Sequence, residues 1–110
     1  MLKQSGFVKI RVTAPVDSAE TVRQAMAEAG SGKQGNYSCC SFSCRGVGRF
    51  LPENGAKPAV GAIGVPEEVV EEMIEAICHV DLVEKVVVAI RRVHPYEEPA
   101  IDIVSRLDII

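Results

Sequence analysis

Residues Val8, Ile10 and Val12 alternate with Lys9, Arg11 and Thr13, a period of two that sends the aliphatic side chains to one face and the polar ones to the other. This predicts a first strand, closed by Pro15. Asp17 then stands three residues before Glu20 in a capping-box-like pairing, and Val22, Ala25, Met26 and Ala29 recur at helical spacing until Gly30 offers a left-handed stop. A first helix is expected from about Asp17. After a glycine-rich turn over residues 31–35, the segment 36–45 is rich in Tyr, Phe, Ser and Cys and reads as a second strand, with Gly46 and Gly48 marking a turn or bulge before Phe50. Residues 52–64 carry repeated glycines and prolines and read as a long loop, a length that points to ligand or subunit contact.

The next segment is ambiguous. Val69, Val70, Met73, Ile74, Ile77 and Cys78 recur at helical spacing opposite Glu67, Glu68, Glu71, Glu72 and Glu75, so periodicity favours a helix. The same residues also separate into two strand faces. Residues 81–93 have their own helical pattern, with Asp81 as a candidate cap, Leu82, Val83, Val86, Ala89, Ile90 and Val93 on the buried side, and Arg91 and Arg92 at the negative end of the dipole. Ile101 and Ile103 alternate with Asp102 and Ser105 in a final strand over 100–107. With the ambiguous segment extended, the order becomes βαββαβ, an α+β ferredoxin-like sandwich in which two helices cover one face of a four-stranded antiparallel sheet.

Composition narrows the function. The chain has 110 residues, 47% hydrophobic and 25% charged, a size and balance that fit one globular domain over 1–110 and exclude global disorder. Twelve basic against fifteen acidic residues leave a formal charge of −3, so no nucleic-acid partner is expected. The longest aliphatic run, Val86 to Ile90, is too short for a bilayer, and no signal-like start is evident. A cytoplasmic protein without a membrane partner is expected, its four cysteines present as thiols.

Two stretches are distinctive: Gly35-Asn36-Tyr37 through Cys40-Ser41-Phe42 with Gly46, Gly48, Phe50, Pro52 and Gly55, and the string His94-Pro95-Tyr96-Glu97-Glu98-Pro99 continuing to Ile103. Together, over residues 7–104, they closely resemble the YqfO-type insert domain of the NGG-interacting-factor family, a PII-like or CutA-like module. The resemblance implies the ferredoxin-like fold, a strand over residues 72–78 and a homotrimer. It implies no reaction, because the two-metal site of full-length relatives lies in a surrounding domain whose histidines have no counterpart here. The chain looks like the insert without its host.

The chemistry-bearing candidates are few. His94 with Glu97 and Glu98 is the leading constellation: an imidazole at a helix end, and carboxylates on a link stiffened by Pro95 and Pro99. Its plain alternative is architectural, with His94 capping helix carbonyls and the carboxylates accepting backbone hydrogen bonds. Ligand contacts are expected from Tyr37, Cys40, Ser41, Phe42, His94, Tyr96, Glu97 and Glu98, lining clefts between subunits; a divalent metal, if bound, is expected on His94, Glu97, Cys39 and Cys40. Along a strand, Cys39 and Cys40 point to opposite faces, while Cys40 and Cys44 lie about 13 Å apart at ~3.3 Å per residue, so only a bulge or a second subunit, with His94 and Glu97 meeting a neighbouring chain's Cys39 or Cys40, could gather them. The letters Gly30-Ser31-Gly32-Lys33-Gln34-Gly35 mimic a dinucleotide fingerprint but follow a helix and precede a strand, the reverse of the phosphate-binding order. The acidic run 67–75 reads as a solvated face or one edge of a trimer channel. No nucleophile is paired with a base, so no catalytic residues are assigned. The expectation is a non-enzymatic binding or regulatory module for a small ligand, a metal ion or a partner protein, with a CutA-like divalent-metal protein as the alternative.

Overall fold

Alternation governs the first element more fully than expected. In the computed structural model, which describes residues Met1–Ile110, strand β1 runs over Leu2–Pro15 and helix α1 follows at once over Val16–Glu28. Pro15 rather than Asp17 occupies the N-cap, and no side chain caps the helix; Asp17 lies in its first turn, where its charge suits the dipole. Strands β2 (Phe42–Phe50) and β3 (Glu67–His79) form a hairpin around a 16-residue connection, Leu51–Pro66. A 3-10 turn, Val80–Leu82, leads into α2 (Val83–Val93), and β4 (Ile101–Ile109) ends the fold. His79, not Asp81, caps the turn: its Nδ1 accepts the Asp81 N–H at 3.1 Å.

The four strands form one antiparallel sheet in the order β2-β3-β1-β4. The architecture is the ferredoxin-like α+β sandwich. Residues 67–79 are therefore a central strand, against their helical periodicity. The reason is tertiary: an inner strand hydrogen-bonds on both edges, to β1 and β2, and its β-branched Val69, Val70, Ile74 and Ile77 suit a pleated surface. Its carboxylates are matched across strands and to α1. Glu75 pairs with Arg11 at 2.5 Å, Glu68 with Arg49 at 3.1 Å and Glu72 with Arg23 at 2.7 Å, so most of the acidic run is not a simple solvated face.

Val8, Ile10, Val12 and Ala14 of β1, with Ile74, Ala76 and Cys78 of β3, face the helices, where Ala19, Val22 and Met26 of α1 and Val86 and Ile90 of α2 close the core. The other sheet face carries no helix. Residues 36–41 are not a strand as expected but a loop, and Gly46 and Gly48 are interior positions of β2 rather than a turn. The chain measures 50 × 27 × 23 Å, and its radius of gyration, 15.3 Å, exceeds the roughly 13 Å of a compact chain this long. Its accessible surface of 7127 Å² exceeds by about 1,200 Å² the area expected for a compact monomer of 11.8 kDa. No helix is long and apolar enough to cross a membrane.

Candidate functional site

The His94-to-Glu98 turn leaves the end of α2 with His94 in extended backbone conformation at the C-cap. That turn places the imbedded ring, 7% exposed, between two backbone groups: Nε2 lies 2.7 Å from the Thr13 carbonyl and Nδ1 lies 3.1 Å from the Tyr96 N–H. A carbonyl only accepts and an amide N–H only donates, so the ring is held as the Nε2–H tautomer. Both nitrogens are engaged. His94 thus ties the turn to the end of β1; it neither caps a helix carbonyl nor offers a free nitrogen to a metal. Glu97 accepts the Lys57 N–H at 2.7 Å, stitching the turn to the β2–β3 connection. Glu98 is exposed and makes no hydrogen bond.

Beneath this turn lies a groove of about 740 Å³ on the sheet face that carries no helix. That volume is in the range of small-molecule sites. Its floor comes from β2 and β3, where Gly46 and Gly48 leave a gap between the Cys44 and Phe50 side chains on that face of β2, and its walls include Phe50, Leu51 and Met73. Tyr96 enters from the turn, its ring 5.9 Å from that of Phe50 and 5.1 Å from that of His94. The Tyr96 hydroxyl is buried and has no hydrogen-bond partner. Burial pushes the phenol well above the ordinary tyrosine range, and the neighbouring Glu71 carboxylate pushes it further, although the two groups stand outside hydrogen-bond geometry.

The other expected residues lie elsewhere. Tyr37 is 74% exposed in the loop before β2, and Phe42, at the start of β2, is 71% exposed. Cys39, Cys40 and Ser41 line a separate hollow of about 180 Å³ beside α1, with Arg23. That loop is docked through Gly32, whose N–H donates to Ile77 O at 2.6 Å and whose carbonyl accepts the Cys40 N–H at 2.9 Å. A side chain at Gly32, where φ is +80°, would stand 2.6 Å from the Cys40 nitrogen. The glycine run therefore serves close backbone contact, not phosphate binding. Within one chain the Cys39 to Ser41 loop and the His94 turn line different cavities, so the cleft expected to join them would lie between subunits. The four residues named for a metal also stand apart within one chain, Cys39 and Cys40 beside α1 and His94 and Glu97 around the groove, and no three His, Cys, Asp or Glu side chains gather in metal-binding geometry, so a set that joins them needs a cysteine from a neighbouring chain. All four cysteines are free thiols.

Sequence reasoning noted Glu71, Gly46, Gly48 and Phe50 but assigned none of them to a site. A signal was present: two glycines at i and i+2 in a strand leave one face empty, and a period of two puts Glu71 and Met73 on one face of β3.

No protein-family model matches the chain. A Mycobacterium tuberculosis protein named GTP cyclohydrolase 1 type 2 homolog is 46% identical over 89 residues, which cover 81% of this chain and 24% of that protein. The Bacillus subtilis protein of the same name is 42% identical over 95 residues, covering 86% and 26%. Among solved structures, a Bacillus cereus protein related to NIF3 superposes with a TM-score of 0.80 at 40% identity, over 96% of this chain and 26% of its own. The CutA protein of Archaeoglobus fulgidus superposes with a TM-score of 0.66 at 18% identity, over 89% and 81%, a likeness of fold alone. The chain is thus homologous to a segment about one quarter the length of the proteins named GTP cyclohydrolase 1 type 2 homolog, and that segment has the CutA-like fold.

Proposed function

We propose that the chain is a non-catalytic binding or regulatory module, equivalent to the insert domain of those longer homologues, that works as a homotrimer and takes a small ligand or a partner segment in the groove beneath the His94 turn. The observation that carries this reading is the groove: an open cavity of about 740 Å³ with apolar walls and one buried, unpartnered hydroxyl. Buried polar groups are nearly always satisfied, so an orphan in the lining of a cavity marks a place for an incoming polar atom. Assembly is supported by shape. The sheet ends in two dissimilar unpaired edges, β2 and β4, and head-to-tail contact between unlike surfaces forms a ring where the rotation between copies closes. The surplus of about 1,200 Å² of surface is of the order that such contacts remove. The number three rests on the resemblance to PII-like and CutA-like modules.

The homologues' name points to cyclohydrolase chemistry in proteins four times as long, and none of it is assigned to this chain: no serine or cysteine side chain donates a hydrogen bond to a histidine here. The alternative, a divalent-cation protein of the CutA kind, needs a second subunit to supply ligands, because His94 is engaged on both nitrogens and no cluster of three ligands forms within the chain. Native mass spectrometry of freshly purified protein tests both readings. A trimer retaining a small organic molecule is expected; a trimer retaining stoichiometric metal that survives in His94→Ala favours the alternative through other ligands. A bare monomer would remove both.

A further inference from the structure

Glu71 is the one carboxylate of β3 that lies deep in the structure without a cation. It sits on the helix-free face of the sheet and is only 7% exposed, has no lysine or arginine within 4 Å, and has as its polar neighbour the Tyr96 hydroxyl, which stands outside hydrogen-bond geometry. Gly48 creates its place: a Cβ there would stand 2.5 Å from the Glu71 Cδ, so the carboxylate fills the space that a side chain on β2 would take. The unpartnered Tyr96 hydroxyl borders the same cavity. The two arginines at its rim are committed elsewhere, Arg45 toward Glu72 at 3.8 Å and Arg49 to Glu68 at 3.1 Å, and the remaining charges are Glu53, Glu97 and Glu98. A cation placed against this unpaired carboxylate would gain a charge-assisted hydrogen bond without displacing an existing ion pair, in a cavity lined otherwise by acids and apolar walls.

We propose that the groove is a site for an organic cation, a primary ammonium or amidinium on an apolar stem, with its N–H groups directed to the Glu71 carboxylate and the Tyr96 hydroxyl oxygen and its stem lying on Phe50, Leu51 and Met73. The donor set fits. An ammonium carries three donors and no acceptor, while an ionised carboxylate only accepts and the phenol has free lone pairs. This assignment rests on the reading of the groove as a ligand site, and it adds the chemical class of the ligand.

The test is titration of the 15N-labelled full chain with three probes of similar shape: 2-phenylethylamine, 2-phenylethanol and 3-phenylpropionate. The amine is expected to shift the amides of Gly46, Gly48 and Tyr96 and to bind at least about tenfold more tightly than the alcohol, the span of one charge-assisted hydrogen bond. Glu71→Gln should cost at least about tenfold for the amine and leave the alcohol unchanged. Tyr96→Phe should weaken the amine by a smaller factor. Gly48→Ala, which forces the carboxylate aside without removing it, is the second variant should Glu71→Gln fold poorly, and it should also weaken the amine. Equal binding of amine and alcohol, or preference for the carboxylate probe, would overturn the cation assignment while leaving a ligand groove. If no probe moves these amides, the ligand-site reading falls as well. Binding that appears only after the assembly is dissociated would mean that a neighbouring subunit fills the groove, and would overturn the proposal.

Discussion

Replacing His94 by alanine separates a tie from a ligand. The imidazole makes two hydrogen bonds to backbone, at 2.7 Å to the Thr13 carbonyl and 3.1 Å from the Tyr96 N–H, in a site where the residue is almost wholly buried. Each neutral bond contributes about 1 kcal/mol net, and each buried backbone group left without a partner costs roughly 1–3 kcal/mol, moderated where water enters the vacated space. The expected loss is about 2–4 kcal/mol. For a domain of this size that corresponds to a fall in Tm of about 8–16 °C. The assay is thermal unfolding followed by circular dichroism, at one fixed protein concentration because assembly makes Tm concentration-dependent, with wild type and variant both treated with chelator. His94→Gln, whose side chain reaches only one of the two partners, should fall between them. Amide exchange at Tyr96 should accelerate in His94→Ala, since its N–H loses its acceptor. A loss below about 1 kcal/mol in chelator, or one that appears only in metal-loaded protein, would refute the reasoning and restore His94 as a metal ligand.

Three further outcomes follow from the structure. Ile74→Ala, at a fully buried position between the sheet and the helices, should cost about 3–4 kcal/mol by denaturant titration; a cost under 1 kcal/mol would mean that the core is not closed there. Arg11, by hydrogen bond and charge, holds the Glu75 carboxyl below the usual carboxylate range, against an opposing effect of burial. The folded protein therefore binds that proton less readily than the unfolded chain, and the stabilisation is complete above the ordinary carboxylate range and lost as pH falls from there through the lowered folded-state value; Arg11→Ala should flatten the acid limb of a Tm–pH curve, and an unchanged limb would contradict the pairing. Burial raises the Cys78 thiol, whereas Cys39 is exposed in a left-handed loop conformation, so under native conditions a thiol reagent should modify Cys39 and reach Cys78 only on unfolding.

Local rules were sufficient wherever neighbouring residues alone decide conformation. The alternation of Val8, Ile10 and Val12, the helical spacing of Val22 and Met26, the stop at Gly30 with φ +113°, and the second helix ending at His94 were all legible in the chain. The resemblance carried by the His94-to-Pro99 string led to the extended reading of residues 67–79, which periodicity opposed. Tertiary structure decided that element because hydrogen bonding on both edges of an inner strand outweighs an apolar stripe that would suit a helix equally well. It also decided the site. Whether Glu71 is solvated or enclosed depends on the side chain missing from Gly48 across the register, and whether His94 is a ligand or a tie depends on Thr13, 81 residues away. Those partners are remote in sequence and adjacent only once the sheet has formed, so side-chain chemistry could be listed from the chain, but which groups are left unpaired could be known only from the fold.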